Sequence, residues 1–312
     1  MERWKTELLP LLPRAVQNVL KQIPEEECLL EIRLRAEQPM QLVFATGDRS
    51  VYAAGGRPML TQDACVNLLS AFCEQSVYAW EQELSDGFLT IRGGFRVGIA
   101  GRAIRQENGL VRYTNVNGFC IRIIREVKNA ARPLVPFLTE HGRVQSILLI
   151  SPPNFGKTTV LRDLIRIVSN GLYGVPPMRV CVADERFELC GSFDGSCAFD
   201  LGIRTDVVSG LKKAEALERM LAALSPQVLA TDELRTERDA EAIHRARACG
   251  VQVFATAHAD APDNLWKRST MQRLKTDAIF DRIILLGDAP IGAIRQIYDG
   301  TGRLLRLVEE SA

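Results

Sequence analysis

Ser151-Pro152-Pro153-Asn154-Phe155-Gly156-Lys157-Thr158 follows the apolar run Ile147-Leu148-Leu149-Ile150 and leads into Thr159-Val160-Leu161-Arg162-Asp163-Leu164-Ile165-Arg166-Ile167-Val168. The octapeptide departs from the phosphate-binding pattern G-x-x-x-x-G-K-[ST] only at its first position, where Ser151 replaces glycine. The run before it reads as a buried strand and the stretch after it as a helix, which is the setting such a loop requires. Backbone amides at that junction can wrap phosphates, aided by the positive end of the helix. Gly156 permits close backbone approach, Lys157 brings charge to the β- and γ-phosphates, and Thr158 offers a hydroxyl to Mg²⁺. Asn154 tolerates left-handed backbone angles and helps keep the loop curved. The expected ligand is ATP with Mg²⁺, held by Ser151, Pro152, Pro153, Asn154, Phe155, Gly156, Lys157, Thr158 and Thr159. The competing reading is a plain helix start with no ligand.

Working outward, strands and helices alternate from residue 145 onward. The segments 179–183, 228–231 and 251–256 are short apolar runs suited to buried strands. Between them, 212–224 and 237–249 have helical spacing, the second closed by Gly250. This alternation predicts an α/β fold with a mainly parallel sheet and helices on both faces, a RecA-like P-loop core. Segments 282–286, 291–298 and 304–308, separated by turns, are expected as antiparallel additions at the sheet edge. Residues 1–135 read as a smaller α/β domain. Helical spacing appears at 8–20 and 64–72, and strands at 41–45 and 88–92. The stretch 136–144 is expected to link it to the core at 145–312.

In a parallel sheet the carboxyl ends of the strands face the ligand crevice. Val228-Leu229-Ala230-Thr231 runs into Asp232-Glu233, so Asp232 is a candidate Mg²⁺ partner and Glu233 the group that orients or deprotonates the attacking water. The preceding strand ends in Asp184-Glu185-Arg186-Phe187-Glu188, a second acidic cluster. There Asp184 is a further candidate on the metal side and Glu185 an alternative base. The 251–256 strand ends in Ala257-His258, where the imidazole can sense the γ-phosphate by hydrogen bonding. Taken singly, each cluster is equally a helix start, a solvated turn or a structural histidine; together with the phosphate loop they converge on one site.

With 312 residues, 46% hydrophobic and 25% charged, the chain can bury two cores. A net charge of +1 supplies no global field toward nucleic acid or anionic lipid. Its eight cysteines form no C-x-x-C pair and read as reduced thiols. The apolar stretch after Met1-Glu2-Arg3-Trp4-Lys5 is broken by Pro10 and Pro13, so neither a signal peptide nor a membrane span is expected, and the chain reads as cytoplasmic.

These motifs together resemble the secretion-ATPase superfamily and, within it, the stage III sporulation protein AA family. The aspartate box is Val182-Ala183-Asp184-Glu185-Arg186-Phe187-Glu188-Leu189, followed by Gly202-Ile203-Arg204-Thr205-Asp206-Val207 and a Ser-Pro-x-Val…Asp-Glu strand from Ser225 to Glu233. Ala255-Thr256-Ala257-His258 is similar to the family's histidine box. Upstream, Glu31-Ile32-Arg33-Leu34-Arg35 with Gln38-Pro39, and Gly93-Gly94-Phe95-Arg96-Val97-Gly98-Ile99-Ala100-Gly101-Arg102, match as well. Ser151 and Asn154 stand where that family usually has glycine. The resemblance implies a ring-forming ATPase of the mother cell, a homohexamer that energises a membrane-embedded channel between mother cell and forespore through protein contacts.

Arg92 to Arg125 holds seven arginines against one carboxylate, Glu107. A basic run of this kind can neutralise phosphates, which leaves a nucleic-acid-binding RecA-like ATPase as a second reading. Sparse aromatic interleaving argues against nucleic acid. A third reading, motivated by Ser151, is a structural ring that binds nucleotide with little turnover. Under the family resemblance, Arg96, Arg102, Arg122, Arg125 or Arg204 is expected to reach the nucleotide of a neighbouring subunit and stabilise the transferring phosphoryl group.

Overall fold

A computed structural model describes residues 3–24, 27–56, 59–123, 125–288 and 290–307. The chain divides into two compact units, one comprising Met1–Arg125 with Gly191–Ala198, the other Glu126–Cys190 with Phe199–Ala312.

The first unit is built on β1 (Leu29–Arg35), β2 (Met40–Phe44), β3 (Gly47–Val51), β4 (Phe88–Ile91), β5 (Phe95–Arg105) and β6 (Val111–Arg122). They form one sheet in the order β3-β2-β1-β6-β5-β4, antiparallel throughout. Alternation decides its two faces. Ile32, Leu34, Val97, Ile99, Phe119 and Ile121 are buried in its core, while Arg33, Arg35 and Arg122 alternate with them on the opposite face. The core is closed by α1 (Arg3–Glu7), α2 (Arg14–Leu20), α3 (Gln62–Phe72) and α4 (Glu81–Ser85). The helical stretch expected at 8–20 is interrupted, because Pro10 and Pro13 have no N–H to donate and a short 3₁₀ turn, Leu9–Leu11, separates α1 from α2. α3 begins at Thr61, whose hydroxyl accepts the Ala64 amide at 3.2 Å, and Phe72 meets Phe119 edge-on at 5.5 Å.

In the second unit, α5 (Val135–Leu138) and the short hairpin β7 (Thr139–Glu140) and β8 (Arg143–Val144) occupy the stretch expected as a linker. Leu138 and Val144 are buried in that unit's core, so this segment is folded structure. The main sheet contains β9 (Ile147–Ser151), β10 (Val180–Asp184), β11 (Thr205–Ser209), β12 (Val228–Thr231), β13 (Gln252–His258), β14 (Arg282–Asp288), β15 (Ile291–Asp299) and β16 (Leu304–Leu307). Its order is β11-β10-β12-β13-β9-β14-β15-β16, parallel from β11 to β14. Only β15 and β16 join antiparallel; β14, expected with them, pairs parallel with β9 and lies inside the sheet. Val308 of the last expected strand lies outside the described residues. β11, which begins within the Gly202-to-Val207 motif, forms the parallel edge.

The helices are α6 (Lys157–Asn170), α7 (Lys213–Ala223), α8 (Glu237–Ala248), α9 (Pro262–Leu265) and α10 (Ser269–Thr276). Leu148 and Ile150 pack with α7, α8 and α10 on one face, and Ile147 and Leu149 with α6 on the other, so β9 is buried on both sides. Burying each such side chain contributes about 1.5–3 kcal/mol, which is why the run carries no polar residue before Ser151. With β13 on one flank of β9 and β14 on the other, the strand order switches at β9, where an open α/β sheet leaves its ligand crevice.

Candidate nucleotide site

The phosphate loop leaves β9 at Ser151, turns through Asn154 (φ +66°) and Gly156 (φ +79°), and enters α6 at Lys157. Gly156 is required twice over, by its left-handed backbone and because a Cβ there would stand 3.1 Å from Gly292 Cα and Ile291 Cγ2. Ser151 lies in the strand, paired with His258, so its place calls for no glycine. Its hydroxyl donates to the Pro152 carbonyl at 2.8 Å and accepts from Lys157 Nζ at 3.0 Å. Lys157 is buried and folded back on its own loop, donating also to Ser151 O at 3.0 Å and Pro152 O at 2.8 Å, with His258 Nδ1 3.0 Å from its Nζ. Burial depresses its ammonium pKa, partly offset by the charges of Asp232 and Glu233.

The end of β12 faces this loop. Thr158 Oγ1 donates to Asp232 Oδ2 at 2.7 Å, and Thr256 Oγ1 donates to Asp232 Oδ1. His258 stands between the two elements, its Nδ1 3.0 Å from Lys157 Nζ and its Nε2 2.9 Å from Glu233 Oε1. Glu233 also pairs with Arg235, and Arg186 stands 3.8 Å away. Burial works against its ionised form, but the hydrogen bond and charge of Arg235, with His258 and Arg186, hold the carboxyl below its ordinary value. The result is an ionised carboxylate one imidazole away from the phosphate-loop lysine.

The acidic pair at the end of β10 is arranged differently. Asp184 is buried, and its oxygens accept the amides of Glu188, Leu189 and Cys190 at 2.9, 3.1 and 2.8 Å. Through these contacts the carboxylate anchors the loop that follows it. Glu185 turns toward α7, meeting Lys212 Nζ at 3.2 Å and the Lys213 amide at 3.3 Å. Between the two pairs lies a cavity of about 720 Å³, with Glu185, Arg186, Lys213, Glu233 and Arg235 in its wall.

Arg204 precedes β11 at the amino end of the parallel strands, and its guanidinium donates to Ser169 O at 3.0 Å near the end of α6. Within this chain it is therefore at the far end of the sheet from the phosphate loop. In the first unit, Arg96 stacks on Phe88 at 3.8 Å and pairs in register with Arg122, Arg102 is exposed, and Arg125 is half-buried. The sequence reading missed Lys213, Thr256, Arg186 and Arg235. Thr256 lay in a strand already identified, and its alternation with Ala255 and Ala257 is the one signal that could have shown it facing the neighbouring strand end. A buried lysine carries no such mark.

A profile of the family described as "Sporulation stage III, protein AA" matches residues 2–305. The chain belongs to that family. Stage III sporulation protein AA of Bacillus subtilis (strain 168) is 36% identical over 302 residues, covering 96% of each chain. An uncharacterized protein, ycf45, of Cyanidium caldarium is 30% identical over 166 residues, 52% of this chain and 47% of that one. The pilus retraction motor PilT, solved with bound ADP, superposes with a TM-score of 0.59 at 16% identity, over 97% of this chain and 84% of its own. The ATPase DotB of Legionella pneumophila gives 0.55 at 14% identity, over 82% and 72%. The family member shares its fold, a mainly parallel α/β sheet carrying the loop at its switch point, with these two proteins. Among its described residues, no helix is long and apolar enough to cross a membrane.

Proposed function

We propose that this family member binds ATP with Mg²⁺ and hydrolyses it, with Glu233 as the base. The observation that carries the reading is the chain of contacts from Lys157 Nζ through His258 to Glu233, 3.0 and 2.9 Å, which ties one carboxylate of the sheet to the phosphate loop. Incoming phosphates exchange for the loop carbonyls and imidazole that Lys157 now satisfies. Amides of the loop and of the first turn of α6 point at the same anion. The hydroxyl of Thr158 and the carboxylate of Asp232, 2.7 Å apart, suit Mg²⁺, which takes few protein ligands and keeps its waters. Bound Mg²⁺ would neutralise charge developing on the phosphate oxygens. Glu233, ionised and anchored by Arg235, orients and deprotonates water, while His258 senses whether Lys157 has moved to a phosphate.

By its kinship, the protein works as a self-assembled ring, a hexamer, that energises a sporulation channel by protein contacts in the mother cell. An arginine among Arg96, Arg102, Arg122, Arg125 and Arg204 then acts on a neighbour's nucleotide. Single-turnover hydrolysis by Glu233→Gln and Glu185→Gln tests the base: loss with Glu185→Gln alone overturns the assignment. Mass measurement with a non-hydrolysable nucleotide tests the ring. Activity per subunit that stays flat across assembly, with no rescue in mixed rings, removes the arginine from the mechanism.

A further inference from the structure

Glu233 adopts φ +49°, a left-handed conformation that costs a residue with a side chain about 1 kcal/mol or more and persists only where its surroundings impose it. Here both backbone polar groups of Glu233 are held from outside its own strand. Its N–H donates to Thr256 Oγ1 of β13 at 2.7 Å, and its carbonyl accepts from Lys213 Nζ, in the first turn of α7, at 2.6 Å. The next residue is fixed as well, since the Leu234 amide donates to Thr256 O at 2.8 Å. The turn therefore cannot relax without giving up contacts to two other elements.

Lys213 is the less expected of these anchors. It is 8% exposed, in a helix whose neighbouring buried positions are Ala216, Leu217 and Met220, and an apolar side chain would fill the same space without the cost of burying an ammonium. Burial does depress its pKa, against the charges of Asp239, Glu185, Asp232 and Glu233. The ammonium is directed at a main-chain oxygen, while Glu185, next to it in space, contacts the Lys213 backbone amide and Lys212. A cation bonded to a carbonyl fixes a backbone conformation. The left-handed turn in question sets where the Glu233 carboxylate leaves the chain, and so its 2.9 Å approach to His258.

We infer that Lys213 is a positioning residue for Glu233, clamping the left-handed turn that aims the carboxylate; the inference rests on Glu233 being the base. The test compares Lys213→Met and Lys213→Gln with the wild type for kcat, KM for ATP and affinity for a fluorescent ATP analogue, each also in the Glu233→Gln background. Misplacing a catalytic group by about 1 Å costs on the order of 10²-fold, so kcat of Lys213→Met should fall by about that factor while nucleotide affinity stays within about 3-fold. Lys213→Gln, which keeps a donor for the carbonyl, should recover part of the loss. In the Glu233→Gln background neither change should lower kcat further, because the group being positioned is gone. Wild-type kcat in Lys213→Met, equal losses in kcat and affinity, or additive losses in the double variant each overturn the inference. If Glu233→Gln turns over normally, the base assignment fails by itself; Lys213→Met that is slow in that case shows that Lys213 acts on some other group, which also overturns it.

Discussion

Two neighbouring parallel strands of this protein run out into the same dipeptide, Asp184-Glu185 at the end of β10 and Asp232-Glu233 just after β12, and the two pairs are held by different partners. Asp184 spends both oxygens on three backbone amides and Glu185 leans on α7. Asp232 accepts hydroxyls from Thr158 and Thr256, and Glu233 meets His258. Residue type and strand-end position are identical, so neither distinguishes them. The difference lies in what sits opposite: β12 is flanked by β13, whose Thr256 and His258 pass contacts toward the phosphate loop, whereas β10 is flanked on its outer side by the edge strand β11. A carboxylate offered several amides becomes a structural anchor, and one offered hydroxyls and an imidazole stays available to a ligand.

The contrast can be broken most decisively at the group both readings depend on. Lys157→Ala should lower affinity for a fluorescent ATP analogue by on the order of 10²-fold or more, since truncating one partner of a buried charge pair costs about 2–5 kcal/mol, with circular dichroism unchanged. Unaltered affinity would place the nucleotide elsewhere. Next, Glu233→Gln should slow single-turnover hydrolysis by about 10²–10⁴-fold with binding retained, and Glu185→Gln by far less. Equal losses would erase the functional distinction between the two strand ends.

The aspartates should separate in the other direction. Asp184→Asn puts an amide nitrogen against backbone N–H donors in a buried place and should destabilise the fold by about 1–3 kcal/mol in urea titration. Asp232→Asn should change stability less and instead raise the Mg²⁺ concentration needed for half-maximal turnover. If Asp184→Asn unfolds at the wild-type midpoint and shifts the Mg²⁺ requirement, Asp184 belongs to the metal site after all. The smallest effect is expected for Ser151→Gly, which removes one of the acceptors that hold Lys157 in the free loop. Nucleotide affinity should move by no more than about 3-fold, upward if the lysine is released; a larger fall would give the serine a direct part in binding.

Much of the phosphate site was legible locally. Ile147 to Val168 announces strand, loop and helix because burial on both faces of β9 demands an apolar run, and Asn154 and Gly156 mark the left-handed turns their backbones adopt. The strands ending at Asp184, Asp232 and His258 are readable for the same reason. Less visible was the pairing of β14, since strand direction depends on which neighbour a segment reaches and its own residues are equally apolar either way. In the stretch 136–144 Pro136 and Gly142 suggest a loop, while Leu138 and Val144 find a core only in three dimensions.

By itself, then, the sequence determined the location of the phosphate loop, the alternation that makes the core α/β and the family signatures, because each is written in spacing along the chain. Tertiary structure alone decided which acidic pair faces the loop, that His258 bridges Lys157 to Glu233, and that Lys213 reaches across from α7 to the Glu233 carbonyl. Those contacts join residues 20 to 101 positions apart, and hydrogen bonds form only where folding brings a donor to within about 3 Å of an acceptor.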